Sequence, residues 1–269
     1  MPSTPSSRAT LLHAYEEQLR THTELGSFPH RWQQGPLWIG ADPAAGLGFI
    51  THRQLPRYLD PTPLIQGALR SLTQDPSITE IEWKTRGHDV NQFLPGALEA
   101  LGFVRQDPET VMAGSTSSVI ACAPELPSEY AIEQMNSFED ITQAMVVSSQ
   151  VFEMDTPESL GIAARLAKGC AQGELEVWAV RHLSSGDIVC VGRVEFVEGT
   201  SFAGVWGGGC LEAHRGQGLY RALTATRAAR AEARSHALLY ADCTEFSRPI
   251  LQKSGLVPIT TTTPYFWRR

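Results

Sequence analysis

The sequence predicts an α+β protein with a mixed, mainly antiparallel sheet flanked by helices. Three features carry this. Strand-like runs at residues 175–182, 188–197 and 201–211 are separated only by short turns, the pattern of an antiparallel meander. A glycine-rich run then leads from the third strand into a long helical stretch, 218–235, and an apolar run at 237–241 follows it. The N-terminal half shows the same kinds of element in weaker form.

In chain order, residues 1–9 are Ser/Thr/Pro-rich with no apolar core and read as a frayed tail. Leu11, Leu12, Tyr15 and Leu19 share one face of a helix over 11–22. A Pro/Gly-punctuated stretch, 26–59, holds short strand-like runs at 37–39 and 49–51. Thr62 reads as the N-cap of a helix over 63–72, and a strand follows at 78–84. A helix over 93–101 stops at Gly102, Phe103 opens a further strand, and the strand resumes near 110–112. Residues 115–128 are small, polar and Pro-containing. They read as the link between two halves, or as an extended segment crossing between sheets.

Beyond the link, residues 130–135 alternate as a strand. Ser137 caps a helix to about 151 with Glu139 and Asp140 in its first turn, and a second helix runs over 156–169. In the long helix, Leu219, Ala222, Leu223, Thr226 and Ala229 mark the packed face, with Arg227, Arg230 and Arg234 away from it. A short helix at 249–253 and an extended segment at 257–267 close the chain, giving domains at 1–122 and 123–269.

The net charge is −7 with pI about 5.6, which argues against a nucleic-acid partner held by a general basic field. No stretch approaches membrane-spanning apolar length, so no membrane partner is expected, while the cysteine pattern is the ground for expecting a cytoplasmic protein. The five cysteines form no CxxC pair and read as reduced, mostly buried thiols, with no metal site expected.

The chemistry concentrates in His214-Arg215-Gly216-Gln217-Gly218-Leu219-Tyr220. A strand enters this run and a helix leaves it. The two glycines allow a tight turn and close approach to a ligand. The N–H groups opening the helix lack intrahelical acceptors and, with the helix dipole, suit a pyrophosphate. Gly207-Gly208-Gly209 in the preceding strand is costly unless there is a bulge or a close backbone approach, and a bulge would let neighbouring strands splay around an extended ligand arm.

These segments resemble the GNAT superfamily of N-acetyltransferases. The family's pyrophosphate pattern, Q/R-x-x-G-x-G/A, falls on Arg215, Gly218 and Tyr220, with Tyr where Gly or Ala is usual. Its later pattern, N-x-x-A-x-x-L-Y-x-K-x-G-F, falls on Thr244, Ser247, Ile250, Leu251, Lys253, Gly255 and Leu256. The usual Tyr, which protonates the departing CoA thiolate, is thus Leu251. The resemblance covers residues from about 129 to the end. It implies acetyl-CoA as acyl donor, with Arg215, Gly216, Gln217, Gly218, Leu219 and Tyr220 around the pyrophosphate, Cys210 and Leu211 pairing with the pantetheine arm, and Thr244 and Ser247 at the cofactor. It also implies direct transfer of an acetyl or short acyl group to a primary amine of a small molecule. A non-catalytic acyl-CoA-binding or scaffolding protein and a protein-directed acetyltransferase are the alternatives.

Glu195, a carboxylate in the central strand, is the candidate base, and Tyr265, near the last strand, the candidate acid. Asp242 and Cys243 are further candidates, Trp206 is a candidate lining of the acceptor pocket, and His182 and His214 read as surface turn residues. The N-terminal half lacks an R-G-x-G and reads as a degenerate second domain of the same kind, able to complete the acceptor pocket or form a homodimer surface. Gly46-Leu47-Gly48 is too weak for a second cofactor loop, and Glu82, Lys84, Arg86, His88 and Asp89 read as a solvated strand end.

Overall fold

The computed structural model describes residues 7–26 and 28–269; the tail read at 1–9 lies outside it up to Ser6, whereas Arg8 and Ala9 already belong to the first helix. The chain forms two compact units that no single cut separates. Ser7–Val111, Asp242–Glu245 and Pro258–Arg269 make the N-terminal unit; Met112–Ala241 and Phe246–Val257 make the C-terminal one. The sequence boundary at 122/123 therefore differs from the division by contact, which assigns most of the last strand to the N-terminal unit.

In the N-terminal unit, α1 (Arg8–Gln18) is capped by the Ser7 hydroxyl, which accepts from the Thr10 N–H. An antiparallel meander follows: β1 (His30–Gln34), β2 (Leu37–Asp42) and β3 (Leu47–His52). The first of these was not legible in the sequence because HRWQQ is polar and largely exposed. Next comes α2 (Thr62–Thr73), whose Ile65, Ala68 and Leu72 recur at helical spacing and are buried. Its N-cap is Pro61, not Thr62, and the Asp60 carboxylate accepts from the Thr62 N–H at 2.9 Å. β4 (Glu80–Arg86) then pairs in parallel with β3. After α3 (Leu94–Ala100), Gly102 takes a left-handed turn (φ +87°) into β5 (Val104–Arg105). β6 (Glu109–Ser115) begins in this unit.

The chain's last strand, β12 (Val257–Arg268), lies antiparallel to β4, with Tyr265 opposite Trp83. Trp83 is fully buried at the centre of an apolar cluster with Ile39, Ile50, Leu98 and Phe103, which Tyr265 joins at 2% exposure.

The polar side of β4 is partly buried and ion-paired rather than solvated. The Arg86 guanidinium, 3% exposed, meets Glu24 and donates to the Tyr15 hydroxyl at 2.8 Å. Lys84 pairs with Asp242 at 2.5 Å, and Arg20 pairs with Asp89 at 2.8 Å. Burial alone would raise the Glu24 carboxyl, but Arg86, Lys84, the Thr51 hydroxyl and Arg20 together outweigh it and hold the group below the usual carboxylate range.

The C-terminal unit opens with α4 (Thr116–Ala121), where the sequence suggested a linker or an extended segment. The segment is poor in strong helix formers and is fixed by its ends. The Ser115 hydroxyl accepts from the Ser118 N–H at 3.1 Å, and Arg221 donates to the Cys122 carbonyl at 2.7 Å. β7 (Tyr130–Met135) leads to α5 (Phe138–Phe152), which starts with a reciprocal Ser137–Asp140 capping box. α6 (Thr156–Gln172) is capped by Asp155 and ended by left-handed Gly173. The meander is as expected: β8 (Leu175–His182), β9 (Ile188–Phe196) and β10 (Phe202–Cys210) are antiparallel, with β7 beside β8. α7 (Leu219–Ala233), β11 (Leu238–Cys243) and α8 (Arg248–Lys253) complete the order. Each unit thus presents a three-stranded meander, a helix and a parallel strand.

The packed face of α7 differs from the expected one. Ala229 is exposed, whereas Arg227 is 1% exposed. Arg227 lies one turn beyond Leu223 on the buried row; its charge, not its position, had argued for the surface. Among the described residues, no helix is long and apolar enough to cross a membrane. None of the five cysteines is in a disulfide, and Cys190, Cys210 and Cys243 are buried.

Candidate functional site

The site is built on β10. Its ladder with β9 pairs Trp206 with Arg193 and Gly209 with Val191, so Gly207 and Gly208 together face the single residue Gly192. This two-for-one bulge puts Gly207 at φ +56°. On its other edge, β10 pairs in parallel with β11 only from Phe202–Leu238 to Gly204–Tyr240. The bulge and the end of that ladder coincide, which leaves the backbone from Val205 onward without a β11 partner among the described residues.

The loop after β10 is strongly fixed. Leu211 donates its N–H to Val189, a single 3-10 turn spans Glu212–His214, and Arg215 Nε donates to the Cys210 carbonyl at 3.1 Å. Gly216 and Gly218 are left-handed (φ +80° and +82°). Gly218 is the N-cap of α7 without any side-chain cap, and the first helical bond is Ala222 N–H to Gly218 O. The N–H groups of Leu219, Tyr220 and Arg221 thus open the helix with no acceptor within it, beside the Arg215 cation.

Sequence reasoning missed the loop's anchor. The Tyr130 hydroxyl, on β7, donates to Gln217 Oε1 at 3.0 Å and lies 2.9 Å from His214 Nδ1. A hydroxyl has one proton, so the Nδ1–H of His214 donates to Tyr130. His182 packs on both rings, 5.2 Å from Tyr130 and 5.5 Å from His214 between centroids. His182 and His214 are therefore packed loop supports rather than free turn residues.

The remaining candidates separate. Glu195 lies on β9 opposite Gly204 and accepts from Arg193 Nε at 2.6 Å. Arg193 reaches the bulge, with Nη1 2.7 Å from where a Gly207 Cβ would stand. Directly opposed residues share a sheet face, so Arg193, Glu195 and Trp206 project together, and Trp206 stacks edge-on against Tyr240 at 5.2 Å. Ser247 caps α8 without a side-chain hydrogen bond, and Leu251 is 1% exposed in the core.

Tyr265, Asp242, Cys243 and Thr244 belong to the N-terminal unit by contact. Tyr265 is corrected as the acid candidate: burial raises its phenol and it packs in that unit's apolar core. Leu211 is corrected as a pantetheine partner, since its N–H is committed to Val189. Cys210 is buried opposite Cys190.

The equivalent place in the N-terminal unit is filled by its own chain. The β3–β4 ladder ends at Ile50–Trp83, and beyond it Arg20 donates to the carbonyls of His52 and Arg53. The α2 N-terminus already holds the Asp60 carboxylate, and Pro63 removes one N–H from its first turn.

No protein-family model and no curated protein sequence matches the chain. Solved structures do. The chain is similar to a GCN5-related N-acetyltransferase from Kribbella flavida (16% identity, covering 95% of this chain and 93% of that one, TM-score 0.68). It is also similar to a tandem GNAT protein from the clavulanic acid biosynthesis pathway (12% identity, 98% and 97% covered, TM-score 0.66). A GCN5-related N-acetyltransferase from Sphaerobacter thermophilus matches at 12% identity, 87% and 76% covered, with a TM-score of 0.61. The likeness is one of fold: the protein has the GNAT fold, twice in tandem.

Proposed function

We propose that the C-terminal unit binds acetyl-CoA, or another short acyl-CoA, and transfers the acyl group directly to a primary amine of a small molecule. The observation that carries this is the coincidence of the Gly207–Gly208 bulge with the end of the β10–β11 ladder, one loop before an uncapped helix start at Gly218. The open β10 edge takes the pantetheine arm as a further strand would, and the helix start with Arg215 takes the pyrophosphate. Acyl-CoA supplies the activated thioester.

The chain's own residues then orient and move protons. Backbone N–H groups at the bulge polarise the thioester carbonyl. Glu195, beside Arg193 and Trp206, receives the amine proton directly or through water. The N-terminal unit takes no cofactor, because Arg20 and Asp60 occupy the groups that would hold it.

A binding or scaffolding protein is the second reading, favoured by buried Leu251 at the position of the usual acid. A panel of primary amines with acetyl-CoA, read by thiol release, separates the two. Turnover with one amine supports the enzyme; binding of acetyl-CoA by calorimetry with no turnover across the panel supports the binder; no binding at millimolar acetyl-CoA overturns both.

A further inference from the structure

Tyr220 stands where a glycine or alanine would leave space, and the structure shows what it does with that space. Its ring lies against the bulge: a Cβ on Gly208 would meet Tyr220 Cε2 at 2.7 Å and its hydroxyl oxygen at 2.9 Å. Only a glycine at 208 lets the phenol reach the bulge backbone. The ring is half-buried, so it borders the open strand edge without being sealed from it.

Behind it lies Arg227, 1% exposed. Its Nη1 donates to the Arg193 carbonyl, its Nη2 to Thr224 Oγ1 at 2.9 Å, and it shares a hydrogen bond with Tyr220. Among the described residues no carboxylate pairs with this guanidinium. A buried, unpaired cation is costly and is kept where negative charge develops. Gly192, the single residue opposite the bulge, makes room for it: a Cβ there would stand 2.6 Å from Arg227 Nη1. The Cβ positions of Gly192 and Gly208 both point towards α7, the face opposite that of Arg193 and Glu195.

We propose that Tyr220 is the proton donor to the departing thiolate, with Arg227 as its positioning residue. The assignment rests on the acyl-transfer reading above. The amine nitrogen forms its bond to the thioester carbon, the carbon–sulfur bond breaks and its electron pair stays on sulfur. The Tyr220 hydroxyl proton passes to that sulfur, and the guanidinium offsets the phenolate charge until solvent returns a proton. The amine loses its own proton on the opposite face, towards Glu195.

The test compares CoA with desulfo-CoA, which carries hydrogen in place of the thiol, by calorimetry on wild type and Tyr220→Phe. Wild type is expected to prefer CoA by about three- to ten-fold, the range of one hydrogen bond, and Tyr220→Phe to lose the preference while still binding desulfo-CoA. That retained binding also shows that the variant is folded. An equal preference in both proteins, or none in wild type, overturns the assignment while leaving the cofactor loop intact. Absence of CoA binding to wild type overturns the acyl-transfer reading itself. With an amine that is turned over, Tyr220→Phe should lower kcat about 100-fold with acetyl-CoA, and far less with an aryl thioester whose thiolate needs no acid. An equal loss with both donors also overturns the role.

Discussion

Arg227 Nη1 fills the space in which a side chain at Gly192 would begin: the two positions are 2.6 Å apart. The guanidinium cannot retreat, because it is held by the carbonyls of Leu223 and Arg193 and by Thr224. Gly192→Ala should therefore cost about 1–3 kcal/mol through overpacking, measured by urea unfolding. Gly186→Ala, at a left-handed turn with open space around it, should cost less. Equal losses for the two would show that the guanidinium yields.

Cofactor stoichiometry is the next expectation. Calorimetry should give one acetyl-CoA per chain, and Gly218→Trp should abolish binding. The change forces a large side chain into a left-handed position 3.3 Å from Pro124. Removing Asp60 in the N-terminal unit should leave the stoichiometry at one, because Arg20 still covers the strand edge. Two sites per chain would show that the N-terminal unit opens.

Tyr130→Phe removes the hydroxyl that joins His214 to Gln217. The loop then loses its anchor on β7, and acetyl-CoA affinity should weaken about three- to ten-fold, with a stability loss of about 1 kcal/mol. An unchanged Kd would mean that the glycine turns alone fix the loop.

Glu195→Gln keeps the shape of the side chain and removes its charge. It should lower kcat about 100-fold or more while leaving the Kd for acetyl-CoA unchanged. A loss of cofactor binding instead would point to a structural part for the Arg193–Glu195 pair.

Acid should unfold the N-terminal unit first. Burial lowers the His52 imidazole to about 4, against an ordinary value of 6.5, and the nearby Asp89 only partly opposes this. The unfolded chain binds the proton that the folded one refuses. His52 therefore contributes no acid sensitivity above pH 6.5, and stability falls as pH drops from 6.5 towards 4, by up to about 3 kcal/mol. Glu16 and Glu24, held low in the folded state against their burial by His88 and Arg20 and by Arg86 respectively, add loss in the same direction at lower pH. His52→Asn should flatten the slope between pH 6.5 and 4 in urea titrations at fixed pH. An unchanged slope would show that His52 is charged in the fold.

Much of the C-terminal unit was legible because its signals are local. Alternation marks the strands, Ser137 with Asp140 marks a helix start, and the glycines of 207–209, 216 and 218 mark the bulge and the turn. What was hidden depends on partners distant in sequence. α4 is held partly by Arg221, about a hundred residues on. Arg227 read as a surface charge because nothing local to it announces Gly192. The Glu82–Asp89 cluster read as solvated because Glu24, Tyr15 and Asp242, the partners of its Arg86 and Lys84, come from three separate segments.

The pairing of Tyr265 with Trp83 has a further consequence for biosynthesis. The first hundred residues emerge from the ribosome long before the strand that completes their sheet, so the N-terminal unit cannot finish folding until that strand has been made. The C-terminal unit has nearly all of its chain earlier in its own synthesis and can reach its native pairing first. A released chain truncated after residue 257 would carry a protease-resistant C-terminal unit and an exposed β4 edge, a template for unwanted strand addition.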